Sequence, residues 1–274
     1  MIILKMNRLL LLLLLVRNLS LFASDAAILQ IHLEQVDSTQ LFVKAHAGEL
    51  IHQAGEWAMV SADSQTAGCG HEDHSWVSPP SENIYVTYVT FYPREKDQQV
   101  SHVIQLSSLA VLRTLRDFGL ESKIKWENDV MVDDKKIAGC LCELMPSHLA
   151  DHYFLLIGIG LNVNMTLQDI MGIACPATSI FIETETMIDK KIVLGRLSTH
   201  LQEIIIAHLK EGSSSFLEEL NQCLLYKDEM VKFKTQDGTI IEGKIRGINE
   251  NTALLLEIEE QIVPFRKGKI LGRI

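Results

Sequence analysis

The feature that most constrains the fold is a charged turn between two strand-like runs near the middle of the chain. Residues 130–132 and 137–144 are rich in β-branched and apolar side chains, which is typical of strands. Asp133, Asp134 and Lys135 form a polar break between them, with the residue types that turns favour. The pattern therefore predicts a β-hairpin whose two strands lie side by side.

This hairpin would bring together four polar side chains, those of Lys125, Asn128, Asp129 and Lys136. Two ammonium groups suit a polyanion, a carboxylate suits a divalent cation, and an amide can orient an oxygen atom. Most charged hairpins, however, only expose solvated charges at a surface. The residues alone leave both interpretations open.

Three segments, in the same order along the chain, resemble the biotin protein ligases. Residues 125–129 and 136–139 resemble the Lys-Trp-Pro-Asn-Asp and Lys-Leu-Ala-Gly-Ile segments of that family, with Glu127 in place of proline. Residues 65–79 read Gln-Thr-X-Gly-X-Gly and then Trp-X-Ser-Pro, and residues 158–162 read Gly-Ile-Gly-Leu-Asn. The resemblance extends over residues 28–274, beginning near an Asp-Ser-Thr triplet that opens the family's catalytic domain.

The resemblance implies an α+β fold with two domains. Residues 28–225 would form a catalytic domain with a mixed β-sheet flanked by helices, of the class II aminoacyl-tRNA synthetase and biotin ligase type. Residues 226–274 would form a small SH3-like β-barrel. The implied enzyme activates biotin with ATP as biotinyl-AMP, uses Mg²⁺, and transfers biotin to a lysine of the biotin carboxyl carrier protein of acetyl-CoA carboxylase.

The resemblance also implies roles for individual residues. The implied catalytic residues are Lys136, Lys125 and Asp129, with Asp129 as the metal ligand. The residues implied to contact biotin are Ser38, Thr39, Gln65, Gly68, Trp76, Lys136 and Gly139. The residues implied to contact ATP are Gly70, His71, Asn128 and Asn162.

One loop departs from the family. Arginines are usual where this chain has Cys69 and His71, and arginine supplies a permanent charge and a forked set of donors. Cysteine supplies neither, and histidine is only partly charged near neutral pH. We therefore expect weaker retention of the adenylate, and full adenylation activity is left open.

Other interpretations of the same residues remain. The triplet at 37–39 could simply cap the following helix, and the glycines at 68 and 70 could serve an ordinary flexible loop. His71 and His74 beside two acids could suggest a metal site, although a loop enforces no ligand geometry. The alternative functions are a lipoate-protein ligase and a biotin-binding protein with weakened catalysis.

Charge and cysteine content argue against other classes of protein. A formal net charge of −10 argues against a nucleic-acid partner, because such proteins display a basic face. No helix-turn-helix segment is recognised ahead of the body, so the expected type is monofunctional, without an N-terminal DNA-binding domain. Five cysteines without disulfide spacing suit a reducing, cytoplasmic location.

Residues 1–27 are interpreted as a signal-like or start-choice leader. Lys5 and Arg8 precede an apolar run at 9–16, and small residues follow it, as in signal peptides. The run is too short for a normal membrane span, and free cysteines and ATP chemistry argue against export. No stable membrane association is expected, and a homodimer is left open.

Periodicity predicts the remaining elements. Strands are predicted at 28–33, 57–62, 84–92 and 153–159, and in the tail at 230–233, 240–245, 253–258 and 261–264. Helices are predicted after residue 39, from 100 to a stop at Gly119, at 192–209 and at 214–225. Residues 165–180 are expected to form a connection that closes over the nucleotide.

Overall fold

The computed structural model describes residues 28–70, 74–80 and 83–274. The leader predicted at residues 1–27 and the ATP contact predicted for His71 lie outside the described residues. The described chain forms a seven-stranded mixed sheet with helices on both faces, followed by a five-stranded antiparallel sheet.

The large sheet belongs to the first part of the chain. Its strands are β1 Ile28–Val36, β2 Trp57–Gln65, β3 Ile84–Pro93, β4 Lys123–Lys125, β5 Asp129–Val132, β6 Lys135–Pro146 and β7 His152–Leu161. The helices are α1 Thr39–Ala54, α2 Val100–Asp117, α3 Leu167–Ile170, α4 Ile180–Thr184, α5 Lys190–Glu211 and α6 Leu217–Gln222, with 3-10 helices at Arg94–Gln99 and Ser214–Phe216. The strand order is β1-β2-β3-β7-β6-β5-β4.

Two layers of helix cover this sheet. β1 and β2 are parallel and are joined by α1 as a crossover, whereas the other neighbours are antiparallel. Alternate residues of β3 face opposite sides of the sheet and so pack against different helices. Val86 and Tyr88 enter the core beneath α2 and α5, whereas Val89 packs with the residues beneath α1.

The predicted central hairpin is confirmed. β5 and β6 pair in antiparallel fashion, and Asp133 at their turn has a φ of 52°. The helix predicted at 214–225 is shorter than expected, because α6 ends at Gln222. The chain then pairs with β4: the Ile124 N–H donates to the Cys223 carbonyl, and the Leu225 N–H donates to the Ile124 carbonyl, both at 2.8 Å.

The C-terminal sheet contains one strand more than predicted. Its strands are β8 Met230–Thr235, β9 Ile240–Ile248, β10 Leu254–Ile258, β11 Gln261–Phe265 and β12 Gly268–Arg273, in the order β11-β10-β9-β8-β12. The sequence pattern missed β12 because Gly268 and Gly272 weaken its strand signal, although Ile270 is buried. No ladder joins β11 to β12 in the described chain. The expected closed barrel is therefore corrected to an antiparallel sheet consistent with an SH3-like fold.

The two sheets share one hydrophobic core. Trp126, which follows β4, contacts Phe233 of β8 with ring centroids 6.1 Å apart. Its indole N–H donates to the Thr252 carbonyl at 3.0 Å. Across residues 28–70, 74–80 and 83–274, no helix has both the length and the apolar character needed to cross a membrane.

Candidate active site

The candidate site is a pocket over three glycines on the α1 face of the large sheet. Gly139 on β6 pairs with Gly160 on β7, and Gly158 lies two residues earlier on β7. A Cβ atom at Gly158 would lie 2.7 Å from Gln40 Oε1, and one at Gly160 would lie 2.6 Å from Trp76 Nε1. Both positions therefore need glycine. The pocket above them is lined by residues of α1, β3, β6, β7 and the loop after β2.

Gln65 organises one end of the pocket. Its Oε1 atom accepts hydrogen bonds from the Thr39 backbone N–H at 2.9 Å and from the Thr39 hydroxyl at 3.2 Å. Its Nε2 atom donates to Ser78 Oγ at 2.8 Å. The Thr87 hydroxyl on β3 donates to Thr39 Oγ1 at 3.0 Å. These bonds fix the start of α1 against β2, β3 and the loop that follows β2.

The Ser38 hydroxyl, unlike that of Thr39, makes no hydrogen bond within the described structure. Ser38 occupies the N-cap position of α1, but its side chain makes no capping hydrogen bond. The Oγ atom is buried without a hydrogen-bond partner, and it lines the pocket. Buried hydroxyls are normally satisfied, since leaving one unpaired costs about 1–3 kcal/mol. This arrangement favours a ligand contact for Ser38 over the capping alternative.

Positive charge lies at the other end of the pocket, where the hairpin brings three side chains together as predicted. Lys136 Nζ lies 2.5 Å from Asp129 Oδ1, and Lys125 is the cross-strand partner of Asp129. Burial lowers the pKa of Lys125; the Asp129 carboxylate opposes this effect, and the neighbouring Lys269 and Lys136 add to it. Two ammonium groups, those of Lys125 and Lys136, therefore flank the Asp129 carboxylate. Lys136 lines the pocket, whereas Lys125 and Asp129 lie behind it and are not among its lining residues.

The backbone of Lys136 is fixed by the segment before α4. The Lys136 N–H donates to the Pro176 carbonyl at 2.8 Å, and the Thr178 N–H donates to the Lys136 carbonyl at 2.9 Å. Lys136 Nζ would lie 3.2 Å from a Cβ atom at Gly139, and it lies 5.2 Å from the centroid of the Trp76 ring. The ammonium group is therefore held over the glycine floor, within cation–π distance of the indole.

The loop after β2 folds back on itself over the pocket. The Trp76 N–H donates to the Gly68 carbonyl at 2.8 Å, and the Gly70 N–H donates to the His74 carbonyl at 2.7 Å. A Cβ atom at Gly68 would lie 2.8 Å from Ser78 Oγ, so this position requires glycine. Cys69 is exposed and lines the pocket. The expected loss of adenylate retention at Cys69 and His71 stays a prediction.

The two asparagines have different surroundings. Asn128 lines the pocket, and its Nδ2 atom donates to the Cys140 carbonyl at 3.0 Å. Asn162 is buried, and its Nδ2 atom donates to the Thr178 carbonyl at 2.9 Å. Asn162 thus holds the segment that fixes Lys136. Its predicted contact with ATP stays a prediction.

The structure places most of the predicted residues at the pocket. Those that line it are Ser38, Thr39, Gln65, Gly70, Trp76, Asn128, Lys136 and Gly139. Sequence analysis did not identify Gln40 and Thr87, which also line it; the Thr87 hydroxyl donates to Gln40 Oε1 at 3.2 Å. Gln40 Nε2 in turn donates to Glu143 Oε2 at 2.7 Å. The available signal was a threonine within the apolar β3 run.

Comparison with known proteins identifies the domain. Residues 33–162 match the model of the Biotin/lipoate A/B protein ligase family. The chain contains a biotin/lipoate ligase domain. The bifunctional ligase/repressor BirA of Salmonella typhimurium is 29% identical over 241 residues, which cover 86% of this chain and 71% of that protein.

Two further proteins are similar to this chain over most of its length. The biotin--[acetyl-CoA-carboxylase] ligase of Mycobacterium tuberculosis is 23% identical over 214 residues, covering 77% of each chain. The structure of the biotin protein ligase from Aquifex aeolicus in complex with biotin and ATP has a TM-score of 0.72 and 26% identity. It covers 88% of this chain and 97% of that one. The expected α+β ligase fold is therefore confirmed.

Replacing Gly160 by alanine should displace the Trp76 indole of the ligase domain, because the new Cβ atom would overlap it. The fluorescence emission of Trp76, taken as the difference from a Trp76→Phe background, should move to longer wavelength. Gly48→Ala is the control, since a Cβ there meets nothing within 4 Å and the position is exposed on α1. It should leave the emission unchanged and stabilise the helix by about 1 kcal/mol. Unchanged Trp76 emission in Gly160→Ala would contradict the close packing.

Proposed function

We propose that this protein is an ATP-dependent biotin protein ligase. It joins biotin to AMP with release of pyrophosphate, and it then transfers biotin to a lysine of a biotin carboxyl carrier protein. The observation that carries the proposal is one pocket with hydroxyl and amide groups at one end and Lys136 at the other, separated by a glycine floor. Lys125 lies behind Lys136, paired across the strands with Asp129. The proteins from Mycobacterium tuberculosis and Aquifex aeolicus named above are biotin ligases, which favours biotin over lipoate.

The polar end suits the ureido ring of biotin, which presents both donors and an acceptor. The unpartnered Ser38 hydroxyl can bond to this ring, while Gln65 and Thr39 are already held in place by their mutual hydrogen bonds. Biotin's carboxylate then points along the glycine floor towards Lys136. Because the polar groups are fixed before biotin binds, little ordering cost remains at that step.

The lysines suit the charge that develops during adenylate formation. The carboxylate oxygen of biotin attacks the α-phosphorus of ATP, and the bond to pyrophosphate breaks. Negative charge increases on the phosphate oxygens, and fixed cations stabilise it most effectively where water is excluded. Lys136 stands nearest the pocket floor, and Lys125 adds to the positive field from β4. Asn128 lies beside them and can orient a phosphate oxygen.

The second half-reaction needs an amine at the same carbonyl carbon. The carrier lysine attacks biotinyl-AMP, a carbon–nitrogen bond forms, and AMP leaves with the electron pair of the broken bond. The protein's contribution is to hold the mixed anhydride over the glycine floor while the amine approaches.

Asp129 is the residue that would hold magnesium. Among the described residues, no three His, Cys, Asp or Glu side chains are grouped as a metal site. One carboxylate nevertheless fits Mg²⁺, which nucleotide enzymes hold through one or two carboxylates and the substrate phosphates. When bound, the ion would neutralise phosphate charge.

Calorimetric titration with biotin and with lipoate tests the substrate, and pyrophosphate release with ATP then tests the first half-reaction. We expect biotin to bind and to support pyrophosphate release, and mass spectrometry should detect one biotin on the target lysine of a purified carrier domain. Preference for lipoate would identify the alternative ligase. Biotin binding without pyrophosphate release would identify a binding protein.

Lys136→Ala should lower the rate of pyrophosphate release about a hundredfold, because a cation beside a developing charge contributes about 3 kcal/mol. Circular dichroism should show an unchanged fold. Lys191→Ala, at an exposed position of α5, is the matched control and should retain the wild-type rate. A near-wild-type rate for Lys136→Ala would remove this residue from the mechanism.

Asp129→Asn should raise the magnesium concentration at half-maximal pyrophosphate release about tenfold, because an amide does not supply a carboxylate's charge to a hard cation. A magnesium titration at saturating ATP measures this midpoint. Asp133→Asn, directly after the last residue of β5 and exposed at the hairpin turn, should leave it unchanged. Equal midpoints in Asp129→Asn and wild type would refute the metal assignment.

A further inference from the structure

The tip of the active-site hairpin is held by the C-terminal part of the chain. The Tyr226 hydroxyl donates to Asp134 Oδ1 at 2.7 Å, and Arg273 Nη2 of β12 donates to Asp134 Oδ2 at 3.2 Å. Asp134 lies two residues before Lys136. These contacts therefore join the C-terminal sheet to the strand that carries the main candidate cation.

Tyr226 makes the stronger of the two contacts. Its side chain is buried, whereas the Arg273 side chain is 58% exposed, and exposed ion pairs contribute little. Burial, together with the hydrogen bond to Asp134 and the charge of Asp134, raises the pKa of Tyr226 to about 12. The phenol therefore stays protonated and donates at all ordinary assay pH values.

The backbone of Tyr226 is also unusual. Its φ of 60° is in the left-handed region, which costs a residue with a Cβ atom about 1–3 kcal/mol unless the surroundings hold it. The Tyr226 carbonyl accepts a hydrogen bond from the Glu229 N–H at 2.9 Å, which closes the turn. With this turn, the Tyr226 phenol reaches Asp134 at the tip of the hairpin.

The hairpin needs such an anchor because its own ladder is irregular. The register of β5 and β6 shifts between Val130 and Met131, and an irregular ladder fixes its turn less firmly. On the other side of the tip, Lys135 Nζ lies 2.5 Å from Glu183 Oε1. The position of Lys136 is thus set by contacts on both sides of the tip. One comes from Glu183 of α4, and the other comes from Tyr226, which precedes the C-terminal sheet.

We propose that Tyr226 is a positioning residue for adenylate formation, which it supports by holding Asp134 so that Lys136 stays over the glycine floor. The C-terminal sheet thereby takes part in the first half-reaction through the hairpin. This inference rests on the proposed function. Arg273 assists by orienting the second oxygen of Asp134.

Docking of the C-terminal sheet does not depend on Tyr226 alone. The Thr252 carbonyl accepts hydrogen bonds from Trp126 Nε1 at 3.0 Å and from Gln105 Nε2 at 2.9 Å. The Asn221 side chain of α6 bonds to both the N–H and the carbonyl of Ile248, at 2.8 and 3.0 Å. Tyr226→Phe should therefore fold normally, and Asn221→Ala offers a variant that weakens docking without touching the hairpin.

The test is steady-state pyrophosphate release by wild type, Tyr226→Phe, Asp134→Ala, Asp133→Asn and Asn221→Ala, with melting temperatures measured in parallel. Tyr226→Phe and Asp134→Ala should each lower kcat about tenfold, since small displacements of a catalytic group are costly. Their KM for biotin should stay within about twofold of wild type, because the polar end of the pocket is on other strands. Asp133→Asn and Asn221→Ala should keep the wild-type kcat, and Asn221→Ala should melt at a lower temperature.

A double variant shows whether Tyr226 acts through Lys136. In a Lys136→Ala background, Tyr226→Phe should change kcat by less than about twofold, because the group that it positions is gone. A full tenfold loss in that background would overturn the proposal, as would a wild-type kcat for Tyr226→Phe or an equal loss in Asn221→Ala. If wild type itself releases no pyrophosphate with biotin and ATP, the proposed function fails before this comparison begins.

Discussion

The β6–β7 register is the constraint on which the pocket depends. Pairing of Gly139 with Gly160 leaves the α1 face without side chains at these two positions, so the Trp76 indole and the Lys136 ammonium group can lie close against the sheet at the pocket. The next pair, Cys140 and Ile159, points to the other face and is buried in the core beneath α2 and α5. A shift of one residue would reverse the two faces and fill the pocket. The same alternation thus builds both the core and the site.

The charges around this floor are opposite in sign to the chain as a whole. The protein carries a formal net charge of −10, yet Lys125 and Lys136 flank the Asp129 carboxylate, and the charge of Lys269 reaches Lys125. Burial is the main cause of the lowered pKa of Lys125, and the charges of Lys269 and Lys136 add to it, so an anion bound here would stabilise the charged lysine. A site of this kind favours phosphate groups.

The hairpin combines contacts from separate parts of the chain. Segment 176–178 pairs with the Lys136 backbone, Glu183 of α4 pairs with Lys135, and Tyr226 bonds to Asp134. The Thr178 hydroxyl also donates to Glu183 Oε1 at 2.5 Å, which links two of these contacts. Lys136 lies on a short, irregular hairpin, and it is held in position because neighbouring segments restrain that hairpin from several directions.

Local sequence patterns were sufficient to predict most of the helices and strands and the central hairpin. The alternation of β3, the helical spacing from residue 100 to Gly119 and the charged turn at 133–135 are short-range signals, and a local period of 2 or 3.6 residues determines them. The sequence motifs likewise indicated Lys136, Gln65 and Gly139 as site residues. Local signals failed where glycine interrupts a strand, as in β12, whose pairing with β8 supplies what its own sequence lacks.

Only the tertiary structure decided which polar groups are already used and which are free to bind. Ser38 and Gln65 looked equally suited to a ligand, but Gln65 is held by Thr39 and Ser78, whereas the Ser38 hydroxyl is buried without a partner. Gln40 and Tyr226 carried no local signal, and Thr87 was marked only as a threonine within an apolar strand, because their roles arise from partners 47 to 103 residues away. A sequence determines which side chains are available. Their hydrogen bonds depend on distances that exist only after the chain has folded.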